Sequence, residues 1–211
     1  MIVDVLVVAI IVAALLAALA WLAHWLLITT EGVFLGRRVV VWLYDLAAGR
    51  YDDIKQYDAD SESAFVAYPL RRRLKAWPAP LVLDVATGTG RLPYYLLAEP
   101  EFHGRVIGLD ASRQMLARAA TKLTPYGGRA ALLRASAQSL PYGDETFAAV
   151  TCLEALEFLP DDAAALAEMA RVLRPGGILL VTRRQGSDAA YFLGRARARE
   201  EPMGRSRRRR A

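Results

Sequence analysis

One cysteine, Cys152, in 211 residues excludes an internal disulfide and agrees with a reducing compartment. Residues 5–28 contain no Asp, Glu, Lys, Arg, Pro or Gly, so nothing in that run breaks a helix or calls for water. As a helix it is about 36 Å long, against roughly 30 Å of bilayer hydrocarbon. The opening Met1-Ile2-Val3-Asp4 lacks the basic start of a secretory signal, and the apolar run is too long for one. A core helix rarely stays apolar on every face for this length. The expectation is a retained single-pass anchor over residues 1–30, contacting the membrane through residues 5–28. Trp21 and Trp25 suit the interfacial aromatic belt, and His24 sits beside them as an interfacial residue. Only Asp4 precedes the run, whereas Arg37 and Arg38 follow it, so the positive-inside rule puts the rest of the chain in the cytoplasm.

Net positive charge is missing from most of the chain, although the overall value is +5. The tail, residues 195–211, carries +6, and the 194 residues before it sum to −1. A slightly acidic body argues against nucleic acid as its partner. Five arginines among residues 205–210 repel one another, so the tail is expected to be disordered. Residues 31–50 mix apolar and basic side chains. They read either as an interfacial helix with Arg37 and Arg38 at headgroup level or as a connecting helix packed on the domain. The polar, acidic stretch 51–63 opens a soluble domain, residues 51–194. Residues 64–77 follow as an amphipathic helix stopped by Pro78-Ala79-Pro80, with Arg71, Arg72 and Arg73 on a solvated face.

There is no internal repeat, but the hydrophobic period changes after residue 80. Short, continuously apolar runs at 81–86, 105–110, 130–135, 148–153 and 178–183 suit strands buried on both faces of a parallel sheet. Helical stretches lie between them at 92–99, 112–123 and 161–173. The alternation defines an α/β fold, a Rossmann-like, doubly wound, mostly parallel sheet of about five strands.

Ligands of such sheets bind outside the carboxyl ends of the strands. The first strand there ends in Leu83-Asp84-Val85-Ala86-Thr87-Gly88-Thr89-Gly90, whose glycines let a ligand approach the main chain. The second strand ends on Asp110, twenty residues past Gly90, where a carboxylate can accept from both hydroxyls of a ribose or cap the helix that follows. A dinucleotide fingerprint also wants a third glycine, and this chain has Pro93 there, which argues against a nicotinamide cofactor.

Four stretches, LDVATGTG, VIGLDASRQML, SLPYGDETFAAV and MARVLRPGGILLV, resemble in order the motifs of class I S-adenosylmethionine-dependent methyltransferases, in particular the small-molecule type that includes quinone and phospholipid enzymes. The resemblance runs from about residue 51 to 183. It implies S-adenosylmethionine as cofactor, with Asp84 and the loop Ala86, Thr87, Gly88 and Gly90 toward its methionine part. It further implies Asp110 on the ribose, Ala111 and Ser112 beside the adenosine, and Ser136, Ala137 and Gln138 along the adenine edge. This chain departs from the family at Ser136, Ala148 and Ala86, where the family often has Asp, Asp and Gly; serine accepts a hydrogen bond more weakly than a carboxylate.

An activated methyl group needs mainly a positioned nucleophile and exclusion of water. Glu154 and Glu157 follow the fourth strand, where the family receives substrate, and can accept a proton or bind a cationic head group; the bland reading is two solvated loop carboxylates. Tyr51 and Tyr57 either close over the cofactor or simply pack. The expected acceptor is a small or lipid-like molecule, and no metal is expected. The competing reading is an inactive binding protein on the same scaffold. After residue 183 the helix and two further strands usual in the family are not recognisable. Residues 189–201 read as one helix, and the fifth strand is expected to keep an open edge. Either the continuation is cut short or frame-shifted, or the arginine tail binds anionic lipid beside the anchor.

Overall fold

The computed structural model describes residues 2–185 and 188–195. The apolar run forms one helix, α1 (Ile2–His24), continued by a π-turn over Trp25–Thr29. Val5–Thr29 is long and apolar enough to cross a membrane, with mean hydropathy 3.0 and none of it buried. The chain then reverses at Glu31 and Gly32, both at positive φ (50° and 75°), and Gly36 leads into α2 (Arg37–Ala47). Tyr44 on α2 donates a 2.7 Å hydrogen bond to Glu31, so the helix is pinned to the elbow.

Three short helices follow, α3 (Tyr51–Lys55), α4 (Ala59–Glu62) and α5 (Tyr68–Arg73). The single helix expected at 64–77 is a π-turn, α5 and a 3₁₀ turn in succession. Pro69, in the first turn of α5, has no N–H to bond to the preceding turn. Arg72 and Arg73 are exposed as expected, but Arg71 is buried, pairing with Glu99 at 3.1 Å and with Glu101.

The α/β unit runs β1 (Leu81–Val85), α6 (Arg91–Ala98), β2 (Arg105–Asp110), α7 (Arg113–Leu123), β3 (Ala130–Arg134), β4 (Phe147–Cys152), α8 (Asp162–Val172), β5 (Leu173–Gln185) and β6 (Asp188–Arg195). The sheet order is β3-β2-β1-β4-β5-β6, and the first five are parallel. Leu70, Leu92, Leu96, Ala119 and Leu123 cover one face, and Leu156, Ala165, Met169 and Val172 cover the other. This double burial is why the strands lack alternation.

Two departures lie at the end of the sheet. β5 begins at Leu173, five residues early, and the Arg174–Gly177 stretch appears as a register shift between the Phe147–Leu173 and Ala149–Ile178 pairs. Gly177 fits there because a Cβ would lie 2.8 Å from the Arg174 carbonyl. Residues 188–195 are not helical. They form β6, which pairs antiparallel with β5 from Gln185–Asp188 to Ile178–Arg195, so the fifth strand's edge is taken. The ladder satisfies backbone groups that the open edge would expose, and this outweighs the helix propensity of the alanines. Gly186-Ser187 is a two-residue hairpin signal in the sequence. The expectations for the tail after Arg195 lie outside the described residues.

Carboxylates before the sheet strap its N-terminal lead across the carboxyl ends of the strands. Asp45 accepts from the Ser112 hydroxyl and, at 3.1 Å, from the Gln114 N–H. Asp52 accepts from Thr89 and Lys122, both at 2.6 Å. Glu62 accepts twice from Arg91, at 2.6 and 2.7 Å.

Gly90 caps α6 at φ 80°, and a Cβ there would lie 3.1 Å from the Ala119 Cβ and 3.3 Å from the Leu123 Cδ1. Gly90→Ala therefore adds left-handed strain to overpacking and is expected to cost about 2–4 kcal/mol. Gly176→Ala, at φ 74° with open space around its Cβ, meets backbone strain alone and should cost about 1–2 kcal/mol. Chemical denaturation of the two variants in the same detergent measures the difference.

Candidate functional site

β1 lies between β2 and β4, and the connections from β1 and β4 run to opposite faces, which opens a crevice at their carboxyl ends. A cleft of about 810 Å³, open space at its mouth included, occupies this position. A smaller cleft shares Tyr51, Ala86, Gly88 and Leu153 with it and reaches Asp84, Thr87, Thr89 and Arg91.

The loop after β1 is shaped for close approach. Ala86 sits at φ 57°, a conformation that costs a non-glycine residue about 1–2 kcal/mol, at the position where the resembling family often has glycine. Gly88, at φ 55°, has only open space where a Cβ would project, so its backbone is exposed to the cleft. Gly90 lines neither cleft and faces α7, so its conformation and small size serve helix packing rather than ligand contact.

Asp110 accepts from the Gly88 N–H on one carboxylate oxygen and from the Ser112 N–H on the other, both at 2.8 Å. Each oxygen keeps a lone pair for the cleft. The capping role weighed for Asp110 belongs to Ser112, whose hydroxyl accepts from Met115 N–H at 3.0 Å. Burial raises the Asp110 carboxyl above its ordinary range against these backbone donors. Ala111, Ser112, Ser136, Ala137 and Gln138 line the same wall.

Asp84 is buried at the end of β1. Thr151 donates to one of its oxygens at 2.6 Å and Thr87 to the other at 2.7 Å. Burial raises its pKa from 3.8 to about 6, and the two hydroxyls oppose the rise. Tyr51 and Tyr57 reach over this end; burial pushes both hydroxyls up.

Of the two glutamates after β4, only Glu154 lines the cleft. It sits at φ 51°, with Arg91 at 2.9 Å on one oxygen and Lys55 at 3.9 Å from the other. Glu157 lies in the 3₁₀ turn Leu156–Phe158 and does not line either cleft. The far wall went unread in the sequence. Arg37, Val40, Val41 and Tyr44 of α2 line the cleft with Phe158, Leu159 and Pro160, and the Tyr44 and Phe158 rings meet edge to face with centroids 5.9 Å apart. Their spacing of 37, 40, 41 and 44 is one helical face, a signal available in the sequence.

The buried Asp110 carboxylate, the loop backbone open to the cleft at Gly88 and the wall of Ser136, Ala137 and Gln138 together fit S-adenosylmethionine. Residues 82–177 match the family described as a methyltransferase domain. With the strand order, the match gives this stretch the sequence and topology of a class I S-adenosylmethionine-dependent methyltransferase domain. The chain is 37% identical over 142 residues to the ubiquinone/menaquinone biosynthesis C-methyltransferase UbiE of Syntrophotalea carbinolica, covering 66% of this chain and 58% of that one. It is 45% identical over 101 residues to the demethylmenaquinone methyltransferase of Lactiplantibacillus plantarum, covering 47% and 43%. It thus spans about half the length of these curated relatives. The crystal structure of the [4+2]-cyclase SpnF shares the fold, with a TM-score of 0.60 at 24% identity over 70% of this chain and 61% of that one.

Two binding outcomes follow. A cationic ligand favours the ionised form of Asp84, so affinity for S-adenosylmethionine is full above pH 6 and is lost as pH falls through about 6. Calorimetry should find binding about tenfold weaker at pH 5 than at neutral pH. Asp110→Ala removes the charge-assisted acceptor and should weaken binding roughly 10- to 100-fold in the same measurement.

Proposed function

We propose that this chain is a membrane-tethered methyltransferase that moves the methyl group of S-adenosylmethionine to a ring carbon of a small, quinone-like acceptor. One observation carries the reading: polar cofactor-type residues and an apolar wall share a single cleft. Asp110, Gly88 and Ser136 line it together with Val40, Val41, Phe158 and Leu159. A polar handle for the cofactor beside an apolar seat for the acceptor is what transfer between the two requires. The names of the quinone C-methyltransferase relatives support the same acceptor class.

When bound, the cofactor supplies a methyl group on a positively charged sulfur. Asp110 holds the ribose in this reading, with Ala111, Ser136 and Ala137 along the adenosine. Asp84, Ala86, Thr87 and Gly88 hold the methionine end. Closure by α2 and Tyr51 excludes water from the reacting groups. A hydroxylated ring attacks through carbon most readily as its anion, and Arg37 is the cation among the residues lining the main cleft. Glu154 is the carboxylate that the loop after β4 adds to that lining, and with cations on both its oxygens it suits fixing that loop better than carrying a proton. The helix within Val5–Thr29 is the proposed tether, with Arg37 and Arg38 on its cytoplasmic side.

The similarity to a cyclase shows that this fold also serves other chemistry, so an inactive or differently acting scaffold is the alternative. The test is transfer of labelled methyl from S-adenosylmethionine by the full-length protein in detergent. Parallel acceptors are a short-tailed demethylated quinol, total phospholipid, RNA and protein. Label is expected in the quinol and lost in Asp110→Ala. Label in another fraction, or in none while the cofactor still binds, overturns the assignment.

A further inference from the structure

Large apolar side chains are not exposed evenly over this molecule. Among the residues up to 182 whose side chains are described, every exposed one lies at or before Tyr68. Outside α1 the exposed set centres on α2 and the elbow before it. Phe34 is 69% exposed, Trp42 57% and Leu46 72%. Arg38, Trp42 and Leu46 recur at four-residue spacing, which stacks them on one face of α2, opposite the 37, 40, 41 and 44 face that lines the cleft. α2 is therefore apolar on both sides, one filled by the cleft and one open.

What covers the open side follows from where the helix hangs. α2 starts eight residues after Thr29, the end of the apolar span. The intervening elbow is internally bonded: Gly32 N–H donates to the Leu26 carbonyl at 2.9 Å, and Leu35 N–H to the Gly32 carbonyl at 2.9 Å. Trp25, at the end of the span, stacks on Phe34 with ring centroids 5.6 Å apart. The Glu31–Tyr44 bond then ties the elbow to the cleft-lining side of α2. Arg37 and Arg38 begin the helix, and its lone acid, Asp45, is turned inward onto Ser112 and Gln114. The outward side is thus apolar and basic without compensating acid, complementary to an anionic lipid surface.

We propose that the outward face of α2 is seated in the polar interface of an anionic bilayer, making one helix both the wall of the acceptor cleft and the protein's contact with lipid. The proposal rests on the tether reading above. Its consequence is that an apolar acceptor reaches the cleft along α2 from the bilayer, without crossing water.

The test uses the full chain in vesicles of equal parts phosphatidylcholine and phosphatidylglycerol containing spin-labelled lipid. Cys152 is buried and its thiol is pushed well up by burial, so an introduced cysteine is the one that reacts with a fluorescent maleimide. Labels go at Leu46→Cys, at Leu19→Cys inside the span, and at Ala170→Cys, exposed at the far end of α8 on the other face of the sheet. Lipid quenching is expected to be strong at 19, clear at 46 and absent at 170, and Arg38→Glu should reduce it at 46 alone. Quenching at 19 with none at 46 overturns the proposal and leaves the tether standing. No quenching at 19 overturns the tether and the proposal with it. Efficient disulfide formation between Leu46→Cys copies in the same vesicles would show that a second chain covers the face instead.

Discussion

The buried carboxylate of Asp84 holds the functional end of the molecule together. It closes β1, receives Thr151 from β4 on one side and Thr87 from the glycine loop on the other, and so joins the two strands whose divergence opens the cleft. Burial raises its pKa to about 6, above the 3.8 of an ordinary aspartate. The folded state therefore binds more protons than the unfolded chain between pH 3.8 and 6, and Asp84 favours folding more as pH falls through that window. At neutral pH the same ionised group works against stability. A site that keeps such a charge out of water gives up some stability for a preorganised negative end to its cleft.

Around that centre, the segment before the sheet completes the cleft. Asp45, Asp52 and Glu62 bond to the start of α7, to the glycine loop with Lys122, and to Arg91. Arg91 also meets Glu154, which links the lead to the loop after β4, and its guanidinium lies 4.0 Å from the centre of the Tyr57 ring. Ionised hydrogen bonds of this kind are individually modest at a surface and stronger where partly buried. Three of them along one strap give it a defined seat. The geometry of the cleft lining thus depends on charges distant in sequence from the residues that form it.

How much was legible in the sequence varies with the physical origin of each feature. The five parallel strands were readable because burial on both faces leaves continuous apolar runs, and their ends fixed Asp84 and Asp110 to within a residue. Gly88 was readable for the same reason, lying in a short loop between two recognisable elements. Gly90 looked equivalent to it, yet φ 80° and the approach of Ala119 make it a packing residue. Arg71 read as solvated because nothing local announces Glu99 and Glu101 some thirty residues later. β6 was missed because its alanines favour a helix in isolation, whereas β5 offers an edge that only exists once the sheet has formed.

Local chemistry determined, from the sequence by itself, an apolar span, an α/β unit, a glycine loop after the first strand and a carboxylate at the end of the second. These depend on hydrophobic period, glycine's missing side chain and short separations, which the chain carries wherever it is read. Tertiary structure alone decided which of Glu154 and Glu157 reaches the cleft, that α2 lines it, and that Ser112 caps α7 while Asp110 lines the cleft. Each of those outcomes turns on a contact between segments separated by tens of residues, such as Asp45 with Ser112 or Arg91 with Glu154. No local pattern encodes such a pairing, because its free energy is gained only when both partners arrive together.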